Sequence, residues 1–484
     1  MPSWNPTHLL SKRFKFLPTF IETYHCRTGT VNPNSYPVSS VDELSKCLEQ
    51  ATEAHDSGAL LDIRDRTNFL NELHEQIVAR KEDLYNLYER ETSLSRSRFE
   101  TEFERTLNQL RLYRDAASAL EQERTESVLT DRIITKKPLP VGPVAVFGAS
   151  NFPLAYSTLG GDVMGAFAAG CPVIVKGHPF HAGTSLLSSE IIRGALSKLK
   201  LHPGIFGHVL DDGHRIGQAL VQDERIKGCG FTGSFEGGMA LYRIAQNRKE
   251  PIPFFAEMGS LNPVVILPNT ENLNSHLHAL VDSITTDAGQ FCTKPGIIFC
   301  PSALIEETIQ TMNARFNQAP TQPMLHPTIQ QRYEMRLNEI QSTNAGEFYL
   351  KIDQEFSVPH GFMHTLNREL NHFETLSHEV FGPFCLLVEY NDMRLLEHTL
   401  TLLKGQLTTT IIGKNPEQST LFNLACNIAG RVILSGVPTG VAVIPEMHHG
   451  GPYPASSDSR FTAVGEASIL RFVRYVSVQK SHGT

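Results

Sequence analysis

The sequence predicts an α/β protein built on parallel sheets, and three observations carry that prediction. Short, almost wholly apolar runs recur after Pro138. Glycine or proline turns follow them, and then come stretches with apolar residues at helical spacing. Strands that are apolar on both faces suit a parallel sheet covered by helices on each side.

The elements follow in order. Residues 41–126 read as helical: Phe69, Leu70, Leu73 and Ile77 recur at helical spacing, as do Phe103, Leu107, Leu110, Ala117 and Leu120, and charges fill the other faces. Strands are expected at Val144–Phe147 and at residues 173–175 and 226–231, with a helix over residues 182–199. A second α/β stretch covers residues 262–445, with strands expected at 264–267, 297–299, 384–389, 408–412 and 440–444. Glycine and proline interrupt the pattern at 257–263, so a domain boundary is placed there. Residues 128–135 and 469–478 (ILRFVRYVSV) alternate apolar and polar side chains like half-exposed strands. Such edges need cover, and pairing with another subunit is the expected form.

With 484 residues, the chain has room for two large domains or about three ordinary ones. It is 40% hydrophobic and 19% charged, with 43 basic against 51 acidic residues and a net charge of −8. That composition excludes disorder, collagen and small disulfide scaffolds. It also disfavours a nucleic-acid binder, which needs a basic field. The start lacks the apolar run of a signal peptide, and no window has the ~20 apolar residues of a membrane helix. Eight scattered cysteines without a CxxC pair point to a reducing, cytoplasmic setting. There is no internal repeat.

Five segments could carry chemistry. Cys292, in GQFC, follows a helical stretch that runs into a glycine bend; a thiolate there would need a nearby positive charge or base. Most single cysteines are buried fillers, so the residue alone decides little. Glu257 sits between an apolar run and a glycine turn, where burial would raise its pKa toward that of a neutral-range base. Gly233-Ser234 lies between a strand and a helix, a place for a phosphate or for a plain turn. The P-loop spacing Gly233 to Gly238 is followed by Met239-Ala240, which disfavours nucleotide triphosphate hydrolysis. Asn151 and Lys176 each stand at a strand's carboxyl end, where ligands of parallel sheets bind. Asn151 could donate to an oxyanion or simply cap; Lys176 could bind or snorkel. The pairs His178/His181 and His448/His449 have no acidic or sulfur partner at ligand spacing, so no metal is expected.

In this order the segments VGPVAVFGASNFPL, CPVIVKGHP, GFTGSFEGG, AEMGSLNPV, GQFC and HEVFGPF resemble the NAD(P)-dependent aldehyde dehydrogenase superfamily over nearly the whole chain. GASNFPL, AEMGSLNP and HHGGPYPAS look like its ketoglutarate-semialdehyde (2,5-dioxopentanoate) and fatty-aldehyde branch. The resemblance implies a Rossmann-like cofactor domain (residues 1–121 and 141–257), a catalytic domain (258–455) and a β oligomerisation arm (122–140 and 456–484). It implies Cys292 as nucleophile, with the Asn151 side chain and the Cys292 backbone N–H as oxyanion hole, and Glu257 as the base that activates the deacylating water. Lys176 would reach the adenosine ribose and Ser234, at a helix N-terminus, the pyrophosphate; Glu379 would hold the nicotinamide ribose with Phe381 beside it, and His178, Gly233 and Arg215 would also bind the cofactor. Phe152, Phe291 and His449 would line the substrate pocket.

Many NAD-using relatives have a carboxylate three residues after the strand-end lysine; here Pro179 stands there, and His214-Arg215 add positive charge. NADP is the expected cofactor, with NAD possible. The expected reaction forms a thiohemiacetal and then a thioester on a small aldehyde, 2,5-dioxopentanoate (ketoglutarate semialdehyde) first among the candidates, in a homodimer or homotetramer. Long-chain aldehydes or another semialdehyde are alternative substrates. A coenzyme A-acylating enzyme would not need Glu257, and a silent cofactor-binding scaffold would not need to retain Asn151, Glu257 and Cys292 together.

Overall fold

Four apolar residues in a row, Val144–Phe147, form the central strand of the first sheet, and all four are buried. The structure, a computed structural model, describes residues 20–122, 124–211, 213–352, 357–367 and 373–481. The start of the chain read above for a leader and the last three residues of the expected arm lie outside them.

Val173–Gly177 pairs with the central strand on one side and Gly228–Thr232 on the other. Phe206–Leu210 and Phe254–Glu257 complete a five-stranded, all-parallel sheet. The first three strands step one way across the sheet and the last two step the other way. The reversal lies between Val144–Phe147 and Gly228–Thr232, and a crevice opens beyond the carboxyl ends of such a pair. Helices Ala182–Lys198 and Phe235–Gln246 connect strands of this sheet.

The N-terminal helical region resolves into Val41–Asp56, Ile63–Ala79, Lys81–Thr92 and Arg96–Gln122. Ser40 starts the first with a capping box: its hydroxyl accepts from Glu43 N, and its own N–H donates to the Glu43 carboxylate. Phe69, Leu70, Leu73 and Ile77 are buried, and Phe69 meets Phe167 edge-on at 5.1 Å. This stripe carries the helices onto the first sheet.

The second sheet has seven strands in the order Glu347–Lys351, His360–Leu366, Phe384–Tyr390, Ile297–Pro301, Val264–Ile266, Gln406–Ile412 and Ala429–Leu434. The first pair is antiparallel and the rest are parallel. Chain passes from one sheet to the other between Glu257 and Val264. The α/β architecture on two largely parallel sheets, expected from the sequence, is what these strands and helices form.

Three strand expectations need correction. Residues 440–444 form no strand. Their alternation reflects Val441 and Val443 packing on a cluster with Phe152 and Tyr156, without a neighbouring strand. Residues 128–135 are not one strand but the middle of a hairpin. Thr125–Val128 and Arg132–Pro140 pair antiparallel, and Leu129 N donates to Arg132 O at 2.7 Å across the turn. In residues 469–478 the strand begins only at Val473. Glu466–Phe472 is a 3₁₀ turn in which Ile469 and Phe472, three apart, are both buried. Val473–Ser481 then pairs along its whole length with Arg132–Pro140 of the same chain. The hairpin Phe20–His25 and Thr30–Pro37 and the strands Phe206–Leu210, Phe254–Glu257, Glu347–Lys351, His360–Leu366 and Ala429–Leu434 were not anticipated.

Candidate active site

Helix Leu273–Thr285 ends in a sharp reversal. Asp287, Ala288 and Gly289 all take left-handed backbone angles, with φ of 49°, 53° and 66°. A side chain on Gly289 would lie 2.4 Å from the Gly382 carbonyl carbon, so glycine is needed twice over there. Cys292 follows three residues later, and its loop is held from several sides. Asn262 Nδ2 donates to the carbonyls of Cys292 at 2.8 Å and Lys294 at 2.9 Å. Gln290 Oε1 accepts from Leu325 N at 3.0 Å. Lys294, buried, donates from Nζ to the carbonyls of Val380 and Phe384.

The thiol is half-buried and meets two partners far away in sequence. Its Sγ lies 3.7 Å from His449 Nε2, and that same Nε2 lies 3.1 Å from Glu257 Oε1. The carboxyl oxygens make no hydrogen bond, so the 3.1 Å contact is one of proximity, off the line a bond needs. Sulfur, imidazole and carboxyl atoms all fall within 4.8 Å of one another. This corrects the sequence expectation that His449 lacks acidic and sulfur partners: its partners arrive through the fold, not through spacing. Burial, then the charge of Asp162, pushes Glu257 up to about 8. Burial, then the charges of Glu257 and Glu379, pushes the Cys292 thiol well up. Burial, then the guanidinium charges of Arg105 and Arg431, pushes His449 down to about 3. Near pH 7 the trio is therefore a neutral acid, a thiol and a neutral imidazole, and Nε2 offers a proton acceptor between the other two.

Asn151 comes to the same place. Its Nδ2 donates to Gln290 O at 2.8 Å, two residues before Cys292. His181 Nε2, bonded to Ala149 O at 3.0 Å, steadies the same loop. Phe152 packs against Phe291 with ring centres 5.6 Å apart and against Tyr156 at 5.2 Å. Sequence reasoning missed the group that ties the two loops together. Arg98 bonds Asp287 Oδ2 at 2.7 Å and Glu102 Oε2 at 3.1 Å, reaches Asn151 O at 3.4 Å, and lies 4.3 Å from the centre of the Phe152 ring. Glu102 in turn accepts from Leu154 N and Ala155 N at 2.8 and 3.0 Å. Nothing in the charge-rich RSRFETEFER run marks these two as buried partners, apart from their i, i+4 spacing.

A second group of expected residues lies along the crevice of the first sheet. Lys176 is in the strand Val173–Gly177. His178 follows; its Nδ1 accepts from Phe180 N at 3.2 Å and its ring stacks on His181. Burial, then the charges of His181 and Lys176, pushes His178 well down. Gly233 N donates to Glu257 O at 3.1 Å. Ser234 is exposed and caps helix Phe235–Gln246, accepting from Gly237 N at 3.2 Å. Glu379 lies against Gly259, where an added side chain would meet its Oε2 at 2.1 Å. Burial raises the Glu379 pKa, and the Lys294 charge pulls it back. Phe381, two residues on, is half-buried on the main core. Arg215 is exposed at the start of helix Arg215–Gln222. Asp211, overlooked in the sequence, is buried beside it, with its oxygens taken by Ile216 N and Gly213 N. An exposed helix N-terminus, capped by Ser234, beside the switch point of a parallel sheet and a carboxylate set against a glycine fit a dinucleotide.

Fold and site together define a two-sheet nicotinamide enzyme with a half-buried thiol beside a buried imidazole and carboxyl where the sheets meet. The aldehyde dehydrogenase family model matches residues 20–398, and the chain belongs to that family. It is an NAD(P)-dependent aldehyde dehydrogenase. The chain is 38% identical over 475 residues to the alpha-ketoglutaric semialdehyde dehydrogenase of Acinetobacter baylyi, covering 93% of this chain and 89% of that protein. It is 37% identical to alpha-ketoglutaric semialdehyde dehydrogenase 2 of Azospirillum brasilense, covering 92% and 88%. Among solved structures, 1-pyrroline-5-carboxylate dehydrogenase from Thermus with bound NAD superposes with a TM-score of 0.84 at 17% identity, over 95% of this chain and 90% of that one. Glyceraldehyde-3-phosphate dehydrogenase from Methanocaldococcus jannaschii complexed with NADP gives 0.82 at 18% identity, over 97% of this chain and all of that one. Among the described residues no helix is long and apolar enough to cross a membrane, and all eight cysteines are unpaired.

The Arg98 network makes the first prediction. Arg98→Gln leaves Glu102 and Asp287 buried without their cation and is expected to cost about 3–5 kcal/mol of unfolding free energy. Urea denaturation of variant and parent checks it; a loss under about 1 kcal/mol would remove the network from its role.

Proposed function

We propose that the chain oxidises 2,5-dioxopentanoate, the semialdehyde of ketoglutarate, to the dicarboxylic acid, with NADP as the preferred cofactor. The observation that carries the reading is the meeting of Cys292, His449 and Glu257 beside Asn151. The names of the Acinetobacter and Azospirillum relatives, matched over most of their length, support the substrate.

Cys292 Sγ adds to the aldehyde carbon, and its proton leaves to His449 Nε2. The Asn151 amide and the Cys292 N–H hold the oxyanion of the thiohemiacetal; one such donor is worth about 3–4 kcal/mol. The nicotinamide, when bound, supplies the hydride acceptor that turns this adduct into a thioester. Glu257 then takes a proton from the water that frees the acid. A free thiol with a pKa of about 8.5 is only a few per cent thiolate at pH 7, so an adjacent acceptor is required. Phe152 and Phe291 form the apolar wall of the pocket.

The sheet around Val144–Phe147 is the cofactor domain in this reading, and the seven-stranded sheet is the catalytic domain. Lys176 and His178 would hold the adenosine ribose, Gly233 and Ser234 the pyrophosphate, and Glu379 with Phe381 the nicotinamide ribose. Pro179 in place of a carboxylate, with Lys176 and Arg215 as cations, supports NADP. A cytoplasmic setting accords with eight free thiols.

Purified protein given 2,5-dioxopentanoate and NADP, without coenzyme A, is expected to form ketoglutarate, with a lower kcat/KM when NAD replaces NADP. Cys292→Ala is expected to abolish turnover while cofactor still binds. Acid formation only with coenzyme A present would overturn the reaction, and a kcat/KM tenfold higher with NAD would overturn the cofactor choice.

Glu257 also sets a pH dependence. Its carboxyl is raised to about 8, so the base form is scarce at pH 7 and grows as pH rises through that value. Turnover is expected to climb between pH 7 and 9, and Glu257→Gln to lower kcat by about 10²-fold or more and flatten the climb. An unchanged slope in the variant would assign the ionisation elsewhere.

In the arm sheet Thr125–Val128 and Val473–Ser481 are the outer strands flanking Arg132–Pro140, and pairing with a second copy would cover an outer edge. Sedimentation at micromolar concentration is expected to show a homodimer or homotetramer; a monomer refutes the pairing.

A further inference from the structure

Two arginines remote in sequence converge beside the pocket. Arg105 projects from helix Arg96–Gln122, and its Nη1 donates to the Val441 carbonyl at 2.5 Å. Arg431 comes from strand Ala429–Leu434 of the second sheet and donates to the Gly440 carbonyl at 2.8 Å and to the Pro438 carbonyl. The two guanidinium groups thus rest on consecutive carbonyls of one loop. Arg105 Nη2 also donates to the Tyr156 hydroxyl at 2.7 Å, and its guanidinium lies 5.1 Å from the centre of that ring. The Tyr156 ring packs edge-on to His449 at 6.2 Å, and His449 touches the Cys292 sulfur. A chain of contacts therefore runs from the paired cations to the thiol.

Holding loop carbonyls does not require two positive charges. Among the described residues neither arginine has a carboxylate within ion-pair distance, although Arg98, on the same helix as Arg105, has two. Arg105 Nε is buried and has no hydrogen-bond partner. Both side chains are partly withdrawn from water, and each lies within reach of the other's charge. Like charges brought together, with a donor left over, describe a site built for an anion that arrives from outside. A carboxylate suits it, because its two oxygens accept from a guanidinium fork. A long aliphatic chain would bring nothing to neutralise either cation.

We propose that Arg105 and Arg431 bind the carboxylate end of the semialdehyde, setting its aldehyde end toward Cys292. This rests on the semialdehyde reading above, and it selects against the fatty aldehydes that the sequence left open. The pair are specificity residues: they meet the end of the substrate that does not react.

The test compares 2,5-dioxopentanoate with pentanal, an uncharged aldehyde of the same length, in the parent enzyme and in Arg105→Gln, Arg431→Gln and Arg105→Lys. The parent is expected to prefer the semialdehyde in kcat/KM. Each glutamine variant is expected to lower that preference about ten- to a hundredfold, chiefly by raising KM for the semialdehyde. Arg105→Lys is expected to retain more of the preference than Arg105→Gln. If the parent shows no preference, the substrate reading itself fails. If the parent prefers the semialdehyde and the variants keep its ratio to pentanal, only the arginine assignment fails. Equal losses on both aldehydes leave that ratio intact, show a purely structural clamp, and overturn the assignment as well.

Discussion

The site depends on how the backbone is held around Cys292. Three successive residues in left-handed conformation are costly to maintain, and two of them, Asp287 and Ala288, carry side chains that disfavour it. Such a turn persists only where its surroundings over-determine it. Here Asp287 is bound by Arg98, Gly289 is pressed against the Gly382 carbonyl, and the Cys292 carbonyl is bound by Asn262. Asn262 is itself set in a left-handed conformation, and its Oδ1 accepts from Thr408 in the second sheet. Arg98 extends the hold across to the first sheet, because Glu102 binds the loop that follows Asn151. Cys292 and Asn151 are therefore parts of one braced unit, although they come from chain segments 141 residues apart by their numbers.

Bracing by polar groups inside an apolar shell has an electrostatic consequence. Withdrawal from water raises both the carboxyl and the thiol and lowers the imidazole, so the trio holds no net charge near neutrality. A charge created there is stabilised only by groups already fixed in place. Arg105 and Arg431 lower the cost of a sulfur anion and raise that of an imidazolium. His449 can therefore hold the thiol's proton only in passing, and Glu257, itself a neutral acid near pH 7, is not its resting place.

Much of this was legible in the sequence. Continuous apolar runs foretold the parallel strands Val144–Phe147 and Phe384–Tyr390, since only strands covered on both faces can be apolar throughout. Motif order singled out Asn151, Glu257 and Cys292, and the fold gathers the three in one place. What stayed hidden was long-range polar pairing. Arg98, Glu102 and Asp287 look like surface charges, because a charged residue declares its burial only through partners that spacing does not reveal. Lys294 gave no signal at all: its ammonium group is held by two backbone carbonyls, which every sequence possesses. The hairpin at Thr125–Val128 and Arg132–Pro140 escaped because its turn, Leu129-Thr130-Asp131, lacks the glycine that marks tight hairpins.

Residues 440–444 show why an alternating pattern is ambiguous. A strand in a sheet satisfies its carbonyls through neighbouring strands, and its alternation records one buried face. Val441 and Val443 do turn inward, so the pattern was read correctly as half-burial. The carbonyls of Gly440 and Val441, however, are met by guanidinium groups from a helix and from another strand. Side chains have taken over what a neighbouring strand would do, and the segment is free to follow the pocket wall instead of a sheet. A strand at this place would have left Arg105 and Arg431 nothing to rest on. The feature that defeats the strand prediction is the same one that gathers two cations beside the thiol.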